Sequence, residues 1–193
     1  MRNAEFDKEE VLRAAMKAFM HRGYAKTSMQ DLKKATGLHP GSIYCAFENK
    51  RGLLLAALEQ YRLDRKTEFK QFFANSASAM ANLKSYLDNV VVECISCDSA
   101  QACLLTKALN EIAEQDEEIQ HIISNNLAML QQALANKFEQ AKAEKSISVN
   151  KDSDHLARYF LMGIYGLRTF AHTHPEAKVI KQLAQQLYDD ICR

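Results

Sequence analysis

Residues 27–50 read TSMQDLKKATGLHPGSIYCAFENK, and this stretch decides the fold. Thr27, followed three residues later by Gln30, has the form of a capping box and predicts a helix start. Ala35, Thr36 and Gly37 close that helix after barely two turns, with Gly37 as the left-handed turn residue. After Leu38 and His39, Pro40 stands at a first helical position, where its missing N–H is no loss. A second short helix follows through Ser42, Ile43, Tyr44 and Phe47, with Ile43 and Phe47 on the side expected to be core. Two short helices joined by a glycine-containing turn form a helix-turn-helix, whose second helix can enter the major groove of DNA.

Working outward, Asp7 with Glu10 can cap a preceding helix in which Val11, Leu12, Ala15 and Phe19 share one face, and Gly23 ends it. This brace makes a three-helix unit large enough to hold its shape. Asn49 can cap a long helix from Lys50 to about Phe73, and the domain boundary is placed at its start: residues 1–50, then 51–193, with no linker. Beyond Ser76 the pattern stays helical. Leu83, Tyr86, Leu87, Val90, Val91 and Cys94 mark one inward face. Small polar residues from Ser96 to Gln101 break it, and Cys103-Leu104-Leu105 begins a short helix ending near Ala113. Asp116 then caps a long helix with the stripe Ile119, Ile122, Ile123, Leu127, Leu130, Leu134 and Phe138. A polar loop at 145–153 precedes two last helices, about 153–172 and 176–191, separated by His174-Pro175. The pair His172 and His174 reads as a helix terminus and turn rather than a metal loop.

The fold class is therefore all-α. Its 193 residues, 47% hydrophobic, suffice for a core in one or two small domains, and two prolines with six glycines favour long helices. The longest apolar run, Leu53 to Leu58, is too short to span a bilayer, and no apolar leader segment opens the chain. Five cysteines without a regular framework fit free thiols in a reducing cytoplasm. Residues 1–70 carry 14 Lys/Arg against 9 Asp/Glu and residues 71–193 carry 11 against 15, so a +5 half faces a −4 half within a net charge of +1. The basic half coincides with the helix-turn-helix, as expected of a DNA reader joined to a regulatory body. No nucleophile–base pair, phosphate-cradling glycine loop or metal box stands at recognisable spacing, which argues against an enzyme and gives no catalytic residue, metal or cofactor.

Thr27-Ser28-Met29, Leu32, Ala35, Gly37-Leu38, Gly41-Ser42-Ile43-Tyr44, Phe47 and Lys50 together resemble the signature of the TetR family of bacterial repressors. The resemblance extends upstream to Val11, Leu12, Ala15, Phe19, Gly23 and Tyr24. Lys33, His39 and Cys45-Ala46 depart from the usual pattern, which bears on the operator sequence rather than on the motif. The resemblance implies a homodimer on a palindromic double-stranded operator. Thr27, Ser28, His39, Pro40, Gly41, Ser42, Tyr44, Cys45 and Lys50 form the DNA-facing set. Tyr44, Lys50 and the Thr27 hydroxyl suit phosphate contacts, and Ser42 offers degenerate base readout. It also implies that the last two helices, with broad apolar faces including Leu156, Phe160, Leu167, Phe170, Ile180, Leu183, Leu187 and Ile191, pair with their copies.

The segment QACLLTKALNEIAEQDEEI is similar to a family subgroup with a Gly-Cys-Leu-Leu motif, here with Ala102 in place of glycine, which includes electrophile- and quinone-sensing repressors. Cys94 and Cys97 stand one helical turn apart, with Cβ atoms about 5–6 Å apart, beyond the ~3.5–4.5 Å a disulfide wants. Three thiols leave a structural zinc site one ligand short. Either these are small buried apolar residues or a thiol reacts with ligand. A small-molecule inducer pocket is expected to involve Cys94, Cys97, Cys103, Leu104, Asn126, Leu130, Met162 and Tyr165, and to suit an apolar, aromatic or electrophilic compound. A non-regulatory DNA-binding protein is the alternative, and a helical enzyme the remote one.

Overall fold

The computed structural model describes residues 6–75, 77–96, 111 and 116–193. Among them are eight helices and no strand: α1 (Lys8–Arg22), α2 (Met29–Thr36), α3 (Pro40–Phe47), α4 (Lys50–Phe72), α5 (Ala79–Ile95), α6 (Glu117–Ala143), α7 (Ser153–Ala171) and α8 (Ala177–Cys192). The short helix expected after Cys103 lies outside the described residues, Glu111 excepted. By packing, the chain forms two units, Met1–Lys66 with Ala100–Ser124, and Thr67–Ser99 with Asn125–Arg193.

In the first unit, the Asp7 carboxylate accepts the Glu9 and Glu10 N–H groups at 2.9 and 3.1 Å and starts α1. Val11, Leu12, Ala15 and Phe19 are all buried along its inner face, and Gly23 closes it at positive φ. The capping box of α2 sits one residue later than its sequence form suggests. Ser28 Oγ accepts the Asp31 N–H at 3.2 Å while the Asp31 carboxylate accepts the Ser28 N–H at 3.0 Å. Thr27 is fully buried, and its hydroxyl donates to the Gly23 carbonyl at 2.6 Å. It pins the corner between α1 and α2 from inside, so Ser28 takes the cap. Gly37 is left-handed, with φ 72°.

Pro40 opens α3, and the His39 ring accepts the Gly41 N–H through Nδ1 at 3.3 Å. Leu32, Ile43 and Phe47 are buried beneath the two short helices. Glu48, at φ 64°, reverses the chain, and the Asn49 side-chain oxygen caps α4 through the Gly52 N–H at 2.9 Å. A Cβ on residue 52 would overlap the Phe47 carbonyl, so glycine is what lets α4 start directly against the end of α3.

The second unit packs α5, α7 and α8 around Leu83, Leu87, Val90, Phe160, Ile164, Leu187 and Ile191, with Leu134 and Phe138 supplied by α6. Phe69 and Phe72 meet the edge of Tyr86, and Phe138 that of Phe160. Leu187 occupies the space beside Gly163, where a Cβ would overlap it, so this glycine sets the close approach of α7 and α8. The broad apolar faces of these two helices mostly serve this internal core: Leu156, Phe160, Leu167, Ile180, Leu187 and Ile191 are all buried in it. What remains outward is Met162, Phe170 and Leu183, beside Gly166, whose missing Cβ faces open space. Among the described residues, no helix is long and apolar enough to cross a membrane.

Candidate nucleic-acid interface

α3 is two-sided. Ile43 and Phe47 point inward, while His39, Gly41, Tyr44 and Cys45 are exposed, and Pro40 and Ser42 half-exposed, around its N-terminal end. Such a helix offers small polar groups, a phenol and a thiol to whatever lies against it, and its position is fixed by the buried pair. Ser28, at the N-terminus of α2, is exposed beside them. Thr27 is the exception in the sequence-derived set: its hydroxyl is committed to Gly23 inside the unit, and of the two adjacent hydroxyl residues only Ser28 is exposed.

Lys50 lies at the rim. Its ammonium donates to the Ala25 carbonyl at 3.4 Å and sits 4.4 Å from the centre of the Tyr24 ring. Partial burial draws its pKa below the ordinary lysine value, an effect that the charge of Glu111 opposes. Arg51, the next residue, is held differently. Its Nε and one terminal nitrogen bind the Asp116 carboxylate at 2.5 and 2.8 Å, and that same nitrogen reaches Glu118 at 2.6 Å. The Arg51 guanidinium holds the Asp116 carboxyl down at about 2, with the Ile119 N–H adding to the effect. Sequence reasoning read Asp116 as a helix cap, which it is, but missed its second role as the anchor for Arg51. Nothing in the local pattern of either residue signals a partner 65 positions away.

In the second unit, Cys94 is half-buried against the core, and burial pushes its thiol pKa up, away from the reactive thiolate. Asn126 is buried and Leu130 and Tyr165 are half-buried, but Met162 is 61% exposed and does not line the interior with them. Apolar residues cover so much of α7 that periodicity could not assign Met162 to a side. Cys97, Cys103 and Leu104 lie outside the described residues. A partly buried ion pair, unforeseen from sequence, stands here: Arg168 binds Glu93 at 2.9 Å, with side-chain exposures of 13% and 18%. Asn89 donates to Glu93 at 3.3 Å and to Glu68 at 3.2 Å. A lone arginine within the apolar run of α7 was the available signal. Among the described residues, no cluster of His, Cys, Asp or Glu is placed to hold a metal ion.

A braced pair of short helices with its second helix presented outward defines a helix-turn-helix DNA reader. Residues 11–57 match the family "Bacterial regulatory proteins, tetR family". Residues 11–57 thus carry a TetR-family DNA-binding domain, and along most of its length the chain is similar to HTH-type transcriptional regulators. It is 29% identical over 181 residues to the HTH-type transcriptional repressor ComR of Escherichia coli (strain K12), covering 93% of this chain and 86% of that protein. It is 24% identical over 165 residues to the transcriptional regulator AcuR of Cereibacter sphaeroides, covering 85% and 75%. Its fold is similar to that of a cysteine-substituted form of the TetR family regulator CifR in complex with 26-bp double-strand operator DNA. That match has TM-score 0.85 and 22% identity, covering 98% of each chain. A regulatory protein TetR from Rhodobacter sphaeroides gives TM-score 0.85 and 21% identity, covering 94% and 96%.

The Arg51–Asp116 clasp has a defined acid signature. A carboxyl whose folded pKa lies below its unfolded value adds stability above pH ~4, and that stability is lost as pH falls through the folded pKa. Thermal melts of wild type and Asp116→Asn are expected to differ at pH 7 and to converge as pH drops from 4 towards 2. Asparagine keeps the cap, so a gap that stays constant over that window would show that the charge plays no part.

Proposed function

We propose that the protein is a homodimeric cytoplasmic repressor that grips a near-palindromic operator with two copies of α3 and lets go when a small molecule enters its body. The reader is residues 1–50, with the motif at about 27–46, and residues 51–193 bind inducer and dimerise. The observation that carries the DNA reading is the two-sidedness of α3, whose inward residues fix it and whose outward residues are small, polar and unobstructed. Ser28, Tyr44 and Lys50 contact phosphates and set register, while His39, Pro40, Gly41, Ser42 and Cys45 line the groove. Regulation rather than catalysis is the reading that fits relatives described as transcriptional regulators.

Two copies of so short a helix are needed for useful specificity, and their spacing of about one helical turn or somewhat more matches the operator half-sites. Lys50→Ala is expected to weaken binding to every duplex alike and to reduce the salt slope by about 1 per head. Ser42→Ala is expected to change the ranking of operator variants instead. Filter-binding titrations over a salt series distinguish the two, and a Lys50→Ala curve that overlays wild type would remove Lys50 from the interface.

Met162, Gly166, Phe170 and Leu183 form the outward apolar remnant of α7 and α8 and support a two-fold interface there. Sedimentation at micromolar concentration is expected to give twice the 21.9 kDa chain mass, and Met162→Glu to give monomer with unchanged helix content. A wild-type monomer would defeat the dimer.

The inducer reading rests on Asn126, Leu130 and Tyr165 with Cys94, and on the resemblance of the Cys103-Leu104 segment to electrophile-sensing regulators. An apolar or aromatic ligand releases DNA by binding better to the DNA-free spacing of the two heads, with leverage through α4. Among the thiols, Cys103 is the first nucleophile and Cys97 the second. Burial disfavours the Cys94 thiolate. A mild quinone is expected to release operator DNA from wild type and not from Cys103→Ser. Undiminished release from both Cys103→Ser and Cys97→Ser would leave a reversibly filled apolar pocket as the mechanism.

A further inference from the structure

The corner between α1 and α2, residues 23–27, holds an anion and a cation on either side of one alanine. The Glu111 carboxylate accepts the Ala25 N–H at 3.3 Å. It lies so near Gly23 that a Cβ there would overlap it, so the positive-φ glycine that ends α1 also makes its seat. On the other side of Ala25, the Lys50 ammonium donates to the Ala25 carbonyl and rests on Tyr24. Glu111 also acts on Lys50 electrostatically. All these residues belong to one packing unit.

A phosphate oxygen and a glutamate carboxylate ask for the same partners, a backbone N–H and an ammonium. Ala25, Glu111 and Lys26 are exposed, and Ser28 is three residues along. The groups that Glu111 uses are therefore those a nucleic-acid backbone passing the N-terminus of α2 would use. Among the described residues, a 3.4 Å contact to a carbonyl and a ring face hold Lys50, both weak enough to be given up.

We propose that Glu111 is a built-in competitor for operator phosphate: in the DNA-free protein it occupies the Ala25 N–H and offsets the charge of Lys50, and DNA must displace its influence to bind. Operator affinity is then set partly by a residue that reads no base and need not touch DNA. The inference rests on the reading of Lys50 as a phosphate contact.

Glu111→Gln keeps the size of the side chain and an acceptor for the Ala25 N–H while removing the charge. It is expected to tighten binding to operator and non-operator duplex alike, roughly two- to fivefold per head as for an exposed ion pair. The salt slope should steepen by less than the ~0.9 of a full phosphate contact, since Lys50 already contributes in wild type and only the opposing charge is lost. In a Lys50→Ala background the gain should vanish, so that the double variant binds like Lys50→Ala alone. Unchanged or weaker binding by a folded Glu111→Gln protein overturns the proposal and leaves the DNA interface standing. Lys50→Ala binding like wild type overturns both. Should Glu111→Gln melt before it can be assayed, the isotope-labelled side-chain carboxyl resonance of Glu111 in the wild-type protein decides. It should shift on adding operator DNA, and a resonance that stays put sinks the proposal.

Discussion

Neither α2 nor α3 could persist alone, because eight residues are far below the length at which an isolated helix holds together in water. Their existence depends on burial of Leu32, Ile43 and Phe47 beneath them and of Phe19 on α1. Each of these side chains contributes about 1.5–3 kcal/mol on leaving water, a stabilisation that neither helix could draw on by itself. The outward face of α3 is then a by-product of its inward face. Ile43 and Phe47 lie one turn apart, so one side of the helix is fixed and the opposite side must carry Gly41, Ser42 and Cys45 to the surface.

Local chemistry sharpens what burial positions. The Ser28–Asp31 box, the His39 ring cap and the left-handed Gly37 each satisfy a helix-end group that two-turn helices carry in unusual proportion. In an eight-residue helix about as many N–H and C=O groups lack an intrahelical partner as have one, so caps decide its ends rather than trim them. Asp31 illustrates the economy of the arrangement. It completes the box with Ser28, whose hydroxyl lowers its pKa, and meets Arg22 of α1 at 2.8 Å. One carboxylate thereby ties the start of α2 to the end of the brace.

Where the sequence was legible, the cause was periodicity over several turns. The inner face of α1, the α5 stripe and the breaks before α7 and α8 all rest on repeated spacing, and all appear in the structure within a residue or two. Three features escaped for different physical reasons. Thr27 and Ser28 are adjacent hydroxyls, each with a polar partner three residues on, and only tertiary burial of Thr27 decides which one caps. Met162 sits in a helix whose apolar residues extend past the half-circumference, so no period separates its inner from its outer positions. The clasp of Arg51 on Asp116 and the Glu93–Arg168 pair span 65 and 75 positions. Long-range charge pairing leaves no local trace, whereas the hydrophobic pattern repeats in every turn.

Lys50 and Arg51 show how two adjacent cations take opposite parts. One residue along a helix turns the side chain by about 100°, so the pair cannot face the same partner. Arg51 turns to Asp116 and Glu118, where its planar fork matches the carboxylate with two bonds and a third closes the group. Bonds of this kind stay made as long as the unit is folded. Lys50 turns to the Tyr24–Ala25 corner, where a compact ammonium meets a carbonyl and a ring face and, among the described residues, no direct carboxylate partner. An ammonium so held keeps most of its charge available at the rim and can exchange one partner for another at little cost. Lysine at 51 would lack the fork that locks the clasp. The order Lys-Arg at the start of α4 thus sets a cation locked by three bonds beside one held by a carbonyl and a ring face.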